Sequence, residues 1–348
     1  MDDVTRSIRY PHEEPPALGT VKEVADGILW VRLPLPMALD HVNVYALDDG
    51  DGWTLIDTGI DSRKCRETMQ AVLAGPLAGK PVRRVLITHH HPDHIGLAGW
   101  FMEEHGAELV TTRTAYLMAR MLAFDVQDRP VKEAGDFYRS AGLPPDILAK
   151  RMEVRPFNCA DVIAPLPLGF SRINDGDRFR AGGRSWRIRI GHGHAPEHAT
   201  LWSEDDDIIL GGDQLLPSIS PNLGVYPTEP MADPVGEWLE SCRMFQPLAT
   251  ETQLVLPGHK LPFHGLPTRL DQLIENHVSA LSRLEAQLAS APATATDCFI
   301  AIFKREIGEA EYGLAMVEAV AHCQHLWLSG RAKRETRNDG AFVYSAAS

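Results

Sequence analysis

Histidine is the residue type that first suggests chemistry. The chain has 15 histidines, and several crowd into two short segments. The first is Thr88-His89-His90-His91-Pro92-Asp93-His94, directly after the apolar run Val82–Ile87. Imidazole and carboxylate are donors that zinc takes, and a loop at a strand end can turn alternate side chains towards two centres. His89 and His91 point the same way in an extended segment and can share one ion. Asp93 and His94 lie on the following turn and can face a second. A solvated polar loop is the alternative, and three further segments weigh against it. Gly191-His192-Gly193-His194-Ala195-Pro196-Glu197-His198 again follows a β run, Gly211-Gly212-Asp213-Gln214 follows Ile208-Ile209-Leu210, and Leu256-Pro257-Gly258-His259 ends another. Taken singly, the second histidine turn can be ligand or structure, Asp213 reads as a helix cap and His259 as a structural histidine. Together, four strands each end in a metal-type donor, in the order His-x-His-x-Asp-His, His, Asp, His. Seven such donors suffice for two ions that share a bridging carboxylate.

These loops need strands to carry them. Ile28–Leu33, His41–Leu47 and Trp53–Asp57 alternate or run apolar, and the Asp/Gly turn 48–52 joins the last two as a hairpin. Ser62 to about Ala78 and Gly96 to Glu104 read as helices, with a strand at Ala107–Thr111. This alternation predicts helices layered on sheets. Between Thr112 and about Pro167 the β signal vanishes and helical stretches replace it, so a helical insertion is expected, which either covers the site or is a scaffold element unrelated to substrate. The β pattern resumes from Phe179, through Ser185–Ile190, Leu201-Trp202, Ile208–Leu210 and Leu254–Leu256. After Gly265 come a long amphipathic helix at Leu270–Leu288, a linker at Ser290–Thr296, helices at Phe299–Ile307 and Gly313–Leu328, and a hairpin turning at Asn338-Asp339-Gly340. Two domains are expected: a catalytic domain at 1–265 with the insertion at 112–167, and a small winged-helix-like appendage at 266–348.

The ligand order, with Leu55-Ile56-Asp57-Thr58-Gly59 before it, resembles the metallo-β-lactamase superfamily over about Gly19–Gly265. The resemblance implies an α/β fold, the four-layer αββα sandwich, with metals at one edge between two sheets. It implies that His89, His91 and His194 hold the first ion, that Asp93, His94 and His259 hold the second, and that Asp213 bridges them. Asp57 then orients the ligand loop from behind. His90, His192 and His198 fall outside this ligand set and read as structural or outer partners. The implied chemistry is hydrolysis by a hydroxide shared between two dications, zinc first, with iron or manganese able to occupy the same N/O donors. Asp93 would pass the proton.

Composition narrows the substrate. Lys plus Arg is 34 against 47 Asp plus Glu, a formal charge of −13, which does not steer the chain to nucleic acid or anionic lipid. No apolar run is long enough to span a bilayer. Met1–Pro16 is polar, without the basic and apolar regions of a leader, so a cytoplasmic protein is expected. Cys65, Cys159, Cys242, Cys298 and Cys323 fit reduced, buried thiols. The chain has no Gly-x-Ser-x-Gly, and no serine or cysteine nucleophile is needed. Asp213 resembles the glyoxalase II, lactonase, thioesterase and nuclease branches more than the secreted antibiotic-hydrolysing enzymes. The leading expectation is therefore a hydrolase of a small acyl ester, a thioester or a lactone, with Met118, Met121, Leu122 and Phe124 of the insertion lining an acyl pocket. The alternative is a metal-dependent endoribonuclease that uses Arg331, Lys333, Arg334 and Arg337 of the terminal hairpin. A non-catalytic metal-binding protein is the third reading. The expected partner is a small molecule, and a homodimer through the C-terminal region is a further expectation.

Overall fold

A computed structural model describes residues 7–347. The leader reading of Met1–Pro16 falls in part on residues 1–6, which lie outside the described residues. The chain divides into two compact units. Among the described residues, the first comprises 7–126, 158–220 and 248–269, and the second comprises 127–157, 221–247 and 270–347. This differs from a cut at 265. Part of the expected insertion and a segment near 234 group with the C-terminal region, while the first helix of the insertion stays with the first unit.

The first unit is built on two sheets. One has seven strands in sequential order: β1 (Lys22–Ala25), β2 (Ile28–Pro34), β3 (His41–Asp48), β4 (Trp53–Ile56), β5 (Val82–Leu86), β6 (Glu108–Thr111) and β7 (Ser171–Arg172). The first four pair antiparallel, and β4 to β7 run parallel. The other sheet contains β8 (Arg178–Ala181), β9 (Arg184–Gly191), β10 (His198–Ser203), β11 (Ile208–Gly212) and β12 (Leu254–Pro257) in the order β12-β11-β10-β9-β8. Its pairs are antiparallel except β11 with β12. The period-2 alternation of β2 explains the layers. Trp30 faces one core with Tyr45, Leu47, Ile56, Trp186, Ile188, Leu201, Leu210 and Leu256, which draws on both sheets. Val31 and Leu33 face a second core with Val44, Leu55, Val85 and the helical residues Met69, Val72 and Phe101. The first sheet is therefore apolar on both faces, with helices on one side and a sheet on the other, as a layered α/β fold requires.

Two helices of the first unit start where the sequence supplies a side-chain cap. Ser62 accepts from the Cys65 N–H at 3.2 Å and opens the helix Arg63–Ala74. That helix ends at Gly75, shorter than its sequence pattern. Thr112 accepts from the Ala115 N–H and opens Arg113–Phe124.

The second unit holds the helices Lys132–Ser140, Pro145–Glu153, Pro234–Phe245 and Tyr312–Leu328, most of the long helix Leu266–Ser290, and the hairpin of β13 (Ala332–Thr336) and β14 (Phe342–Ala346). The expected helix after Phe299 stops at Phe303, because Lys304 takes a left-handed conformation (φ 59°). Among the described residues, no helix is long and apolar enough to cross a membrane.

Candidate metal centre

The chemistry-bearing residues sit where strands end. Asp57 follows β4, and Thr88 to His94 follow β5, its parallel neighbour. His194 follows β9, Asp213 follows β11, and His259 follows β12, the parallel neighbour of β11. Parallel pairing brings the carboxyl ends of neighbouring strands to one edge, so residues far apart in sequence meet there.

They meet closely. Donor atoms of His89, His91 and His194 lie within 4.8 Å of one another, as do those of Asp93, His94 and His259, and those of His89, His94 and Asp213. His89 Nε2 lies 3.0 Å from His91 Nδ1. His94 Nε2 is 3.4 Å from Asp213 Oδ1 and 3.5 Å from Asp93 Oδ2. His259 Nε2 is 3.2 Å from Asp213 Oδ2 and 3.3 Å from Asp93 Oδ2, and His194 Nε2 is 3.5 Å from Asp213 Oδ2. All seven expected ligands are thus gathered, with Asp213 touching histidines from both groups.

Outer partners fix which nitrogen faces inwards. Asp57 Oδ1 accepts from the Thr88 N–H, and its Oδ2 accepts from Thr88 Oγ1 and from His94 Nδ1 at 2.9 and 2.8 Å. Thr88 Oγ1 has then spent its hydrogen, so His89 Nδ1 must donate to it at 3.0 Å. His259 Nδ1 donates to the His41 carbonyl at 2.7 Å. In each case the other nitrogen is the one aimed at the cluster, the arrangement that outer partners impose on metal-binding histidines. Asp57 does this from a left-handed backbone (φ 62°), an uncommon conformation held by these bonds.

The electrostatics ask for positive charge. Burial pushes His89 and His91 well below the ordinary imidazole range, which leaves both neutral. Burial opposes charge on His94 too, but Asp213, Asp93 and Asp57 outweigh it and hold His94 well above that range. His259, likewise buried, is raised to about 9 chiefly by Asp213. Burial works against the Asp213 carboxylate, yet His259 and His94 hold it well below the usual carboxylate range. Despite this, the buried His94 Nε2 and Asp213 Oδ1 make no hydrogen bond. Buried polar atoms without partners are costly. A dication coordinated by these atoms satisfies them and supplies the missing charge, so the residues present fit divalent metal.

Some residues of the site escaped the sequence reading. His41 accepts from the Lys260 N–H at 2.9 Å through Nε2, while its carbonyl holds His259. Thr88 relays Asp57 to His89. Only its place at the head of the histidine run marks it in sequence. The three histidines read in sequence as structural or outer partners take different places: His198 Nε2 accepts from the Asp213 N–H at 3.1 Å, and its ring stacks on His89. His192 Nδ1 accepts from the Glu197 N–H at 3.4 Å. His90 lies outside the three donor groups, and burial pushes it down to about 4.

The model of the metallo-β-lactamase superfamily matches residues 37–287. The chain belongs to the metallo-β-lactamase superfamily. A model of the metallo-β-lactamase-like C-terminal domain matches residues 281–347. The chain is similar to a probable metallo-hydrolase, YqjP of Bacillus subtilis, with 26% identity over 308 residues, covering 85% of this chain and 91% of that protein. Among solved structures it resembles a β-lactamase domain protein from Burkholderia ambifaria, with 36% identity, TM-score 0.89 and 98% of each chain covered. It also resembles a metallo-β-lactamase family protein from Thermus thermophilus, with 25% identity, TM-score 0.77, and 93% of this chain and 100% of that one covered. The two facing sheets are therefore the metallo-β-lactamase sandwich, and the family supports a metal-dependent hydrolase.

Proposed function

We propose that this chain hydrolyses a small acyl ester, a thioester or a lactone, at two zinc ions. His89, His91 and His194 would hold one ion, Asp93, His94 and His259 the other, and Asp213 both. The observation that carries the reading is the convergence of five histidines and two carboxylates, with His94 Nε2 and Asp213 Oδ1 buried without hydrogen bonds. Bound dications supply Lewis acidity at the scissile carbonyl and acidify the attacking water.

The chain's own residues do the rest. Asp57, Thr88 and His41 lock the imidazoles, so little reorganisation is needed when substrate arrives. Asp213 is buried, whereas Asp93 is part-exposed at the rim. Burial opposes its charge, but His94 and His259 hold its carboxyl below the usual range. It is thus ionised at neutral pH, able to take a proton from water and pass it to the leaving group.

Two observations support an acyl substrate over RNA. The helix Arg113–Phe124 exposes Leu117, Met121 and Phe124, which suit an apolar chain better than phosphate. The hairpin's basic residues are engaged locally. Arg331 pairs with Glu285, Arg337 with Asp339, and Arg334 stacks on Trp327 and Phe342. A reducing, cytoplasmic setting is part of this reading, and its partner is a small molecule.

The test is hydrolysis of acyl thioesters, acyl-homoserine lactones and single-stranded RNA by zinc-loaded protein and by Asp213→Ala. Turnover of a thioester or lactone that vanishes in the variant is the expected result. Cleavage of RNA alone would replace this reading with the endoribonuclease.

A further inference from the structure

A second cluster of metal-type donors lies wholly in the second unit. His277 is on the helix Leu266–Ser290, and Glu318 and His322 are on Tyr312–Leu328. Glu318 and His322 are four residues apart, which puts both on one face of their helix. Donor atoms of the three residues lie within 4.8 Å of one another, the same closeness that gathers the principal cluster.

The orientation of each side chain suits coordination. His322 Nδ1 donates to the Glu318 carbonyl at 2.8 Å, so its Nε2 carries the lone pair. His277 Nδ1 faces that lone pair at 3.2 Å, and the two rings stack 27° from parallel. Two imidazole nitrogens on one tetrahedral zinc lie about 3.3 Å apart. Asn222 Nδ2 donates to Glu318 Oε2 at 2.8 Å and anchors the carboxylate. The Trp238 ring lies edge-on to His277, and its buried Nε1 makes no hydrogen bond.

The surroundings make the cluster costly as a merely polar contact. Leu273, Leu281, Ala319 and Cys323, all buried, come from the same two helices. Burial pushes His277 down to about 3 and His322 to about 4, so both rings keep lone pairs at neutral pH. Burial pushes Glu318 up to about 8, a carboxyl that lacks a countercharge. One dication would answer all three.

We propose that His277, Glu318 and His322 bind a structural zinc ion that pins the long helix Leu266–Ser290 to Tyr312–Leu328. Two imidazoles and a carboxylate are the donor set zinc favours, and three protein ligands leave a fourth position for water. The site is independent of the catalytic reading, and its test involves no turnover.

The experiment uses the full chain with its principal cluster emptied by His89→Ala, His94→Ala, Asp213→Ala and His259→Ala, which leaves none of its donor groups intact. The protein is equilibrated with zinc, dialysed against metal-free buffer and analysed for zinc per chain. About one zinc should remain, and zinc should raise the thermal midpoint. Adding His322→Gln or His277→Gln should remove both the ion and the shift. Cobalt should give visible d–d absorption in the emptied protein that either Gln variant abolishes, which reads the site even if one variant folds poorly. Loss of all zinc from the emptied protein, with its far-UV circular dichroism intact, would overturn the proposal. So would an ion that survives both Gln substitutions.

Discussion

Asp57 acts on the cluster without facing it. Its carboxylate takes the Thr88 N–H and hydroxyl and the His94 Nδ1–H, so one side chain sets the pose of two of the proposed ligands. Asp57→Asn can still accept but turns a donor at one of these contacts. We expect a loss of roughly 10- to 100-fold in zinc affinity, with little change in fold, measured by competition with a chromophoric chelator. Gly258 is a sharper case. A Cβ there would lie inside van der Waals contact of Asp213 Oδ1 and close to the His94 ring. Gly258→Ala should therefore displace the shared carboxylate and lower both zinc content and turnover, whereas the neighbouring Lys260→Ala should lower neither. The residue type of His198 does not define its part. Its contact with the Asp213 N–H is tertiary, and nothing local in Glu197-His198-Ala199 announces it.

At the scale of elements, the turn that carries His194 is tied to a helix. Glu197, itself left-handed (φ 51°), accepts from the Thr114 N–H at 2.9 Å, and its carbonyl accepts from Thr112 Oγ1. A carboxylate at a helix start satisfies an orphan N–H and meets the positive end of the dipole. Glu197→Ala should cost about 1 kcal/mol in urea unfolding and loosen the turn, weakening zinc binding. The strands and the ligand loops were legible in sequence because apolar runs end abruptly in polar donors, which is the mark of a strand meeting an edge. The helix Pro234–Phe245 was not. Its cap, Asp233, bonds the Gly236 N–H, but the segment opens with Pro, Val and Gly, which read as a turn. The two-residue strand β7 has no pattern of its own and exists only through pairing with β6.

In the whole molecule neither unit is one continuous stretch of chain, and each is assembled from three segments. The second unit draws on three separate segments, and no local period reveals that 127–157 belongs with the C-terminal region. The same holds for the His277–Glu318–His322 cluster, whose helices are separated by tens of residues and of which only the i,i+4 pair is visible in sequence. Its electrostatics give a pH signature in chelated protein. Glu318 has a folded pKa near 8, raised by burial from 4.5. The neutral acid contributes its full stability below 4.5, and that contribution drains as pH rises and is gone by about 8. Glu318→Gln should therefore gain on the parent by up to a few kcal/mol between these limits, read as a urea midpoint that rises relative to the parent with pH. Excess zinc should stabilise the parent and not the variant.

On the proposed function, the gathered donors hold the ions that do the chemistry. The most direct measurement is turnover of the responsive thioester or lactone by chelated protein as zinc is returned in steps. Chelated protein should show no turnover, activity should recover to a plateau as zinc binds, and His89→Ala and His259→Ala should not recover it. Chelated protein that keeps its turnover, or variants that recover it fully, would show that these donors do not hold the ions that act.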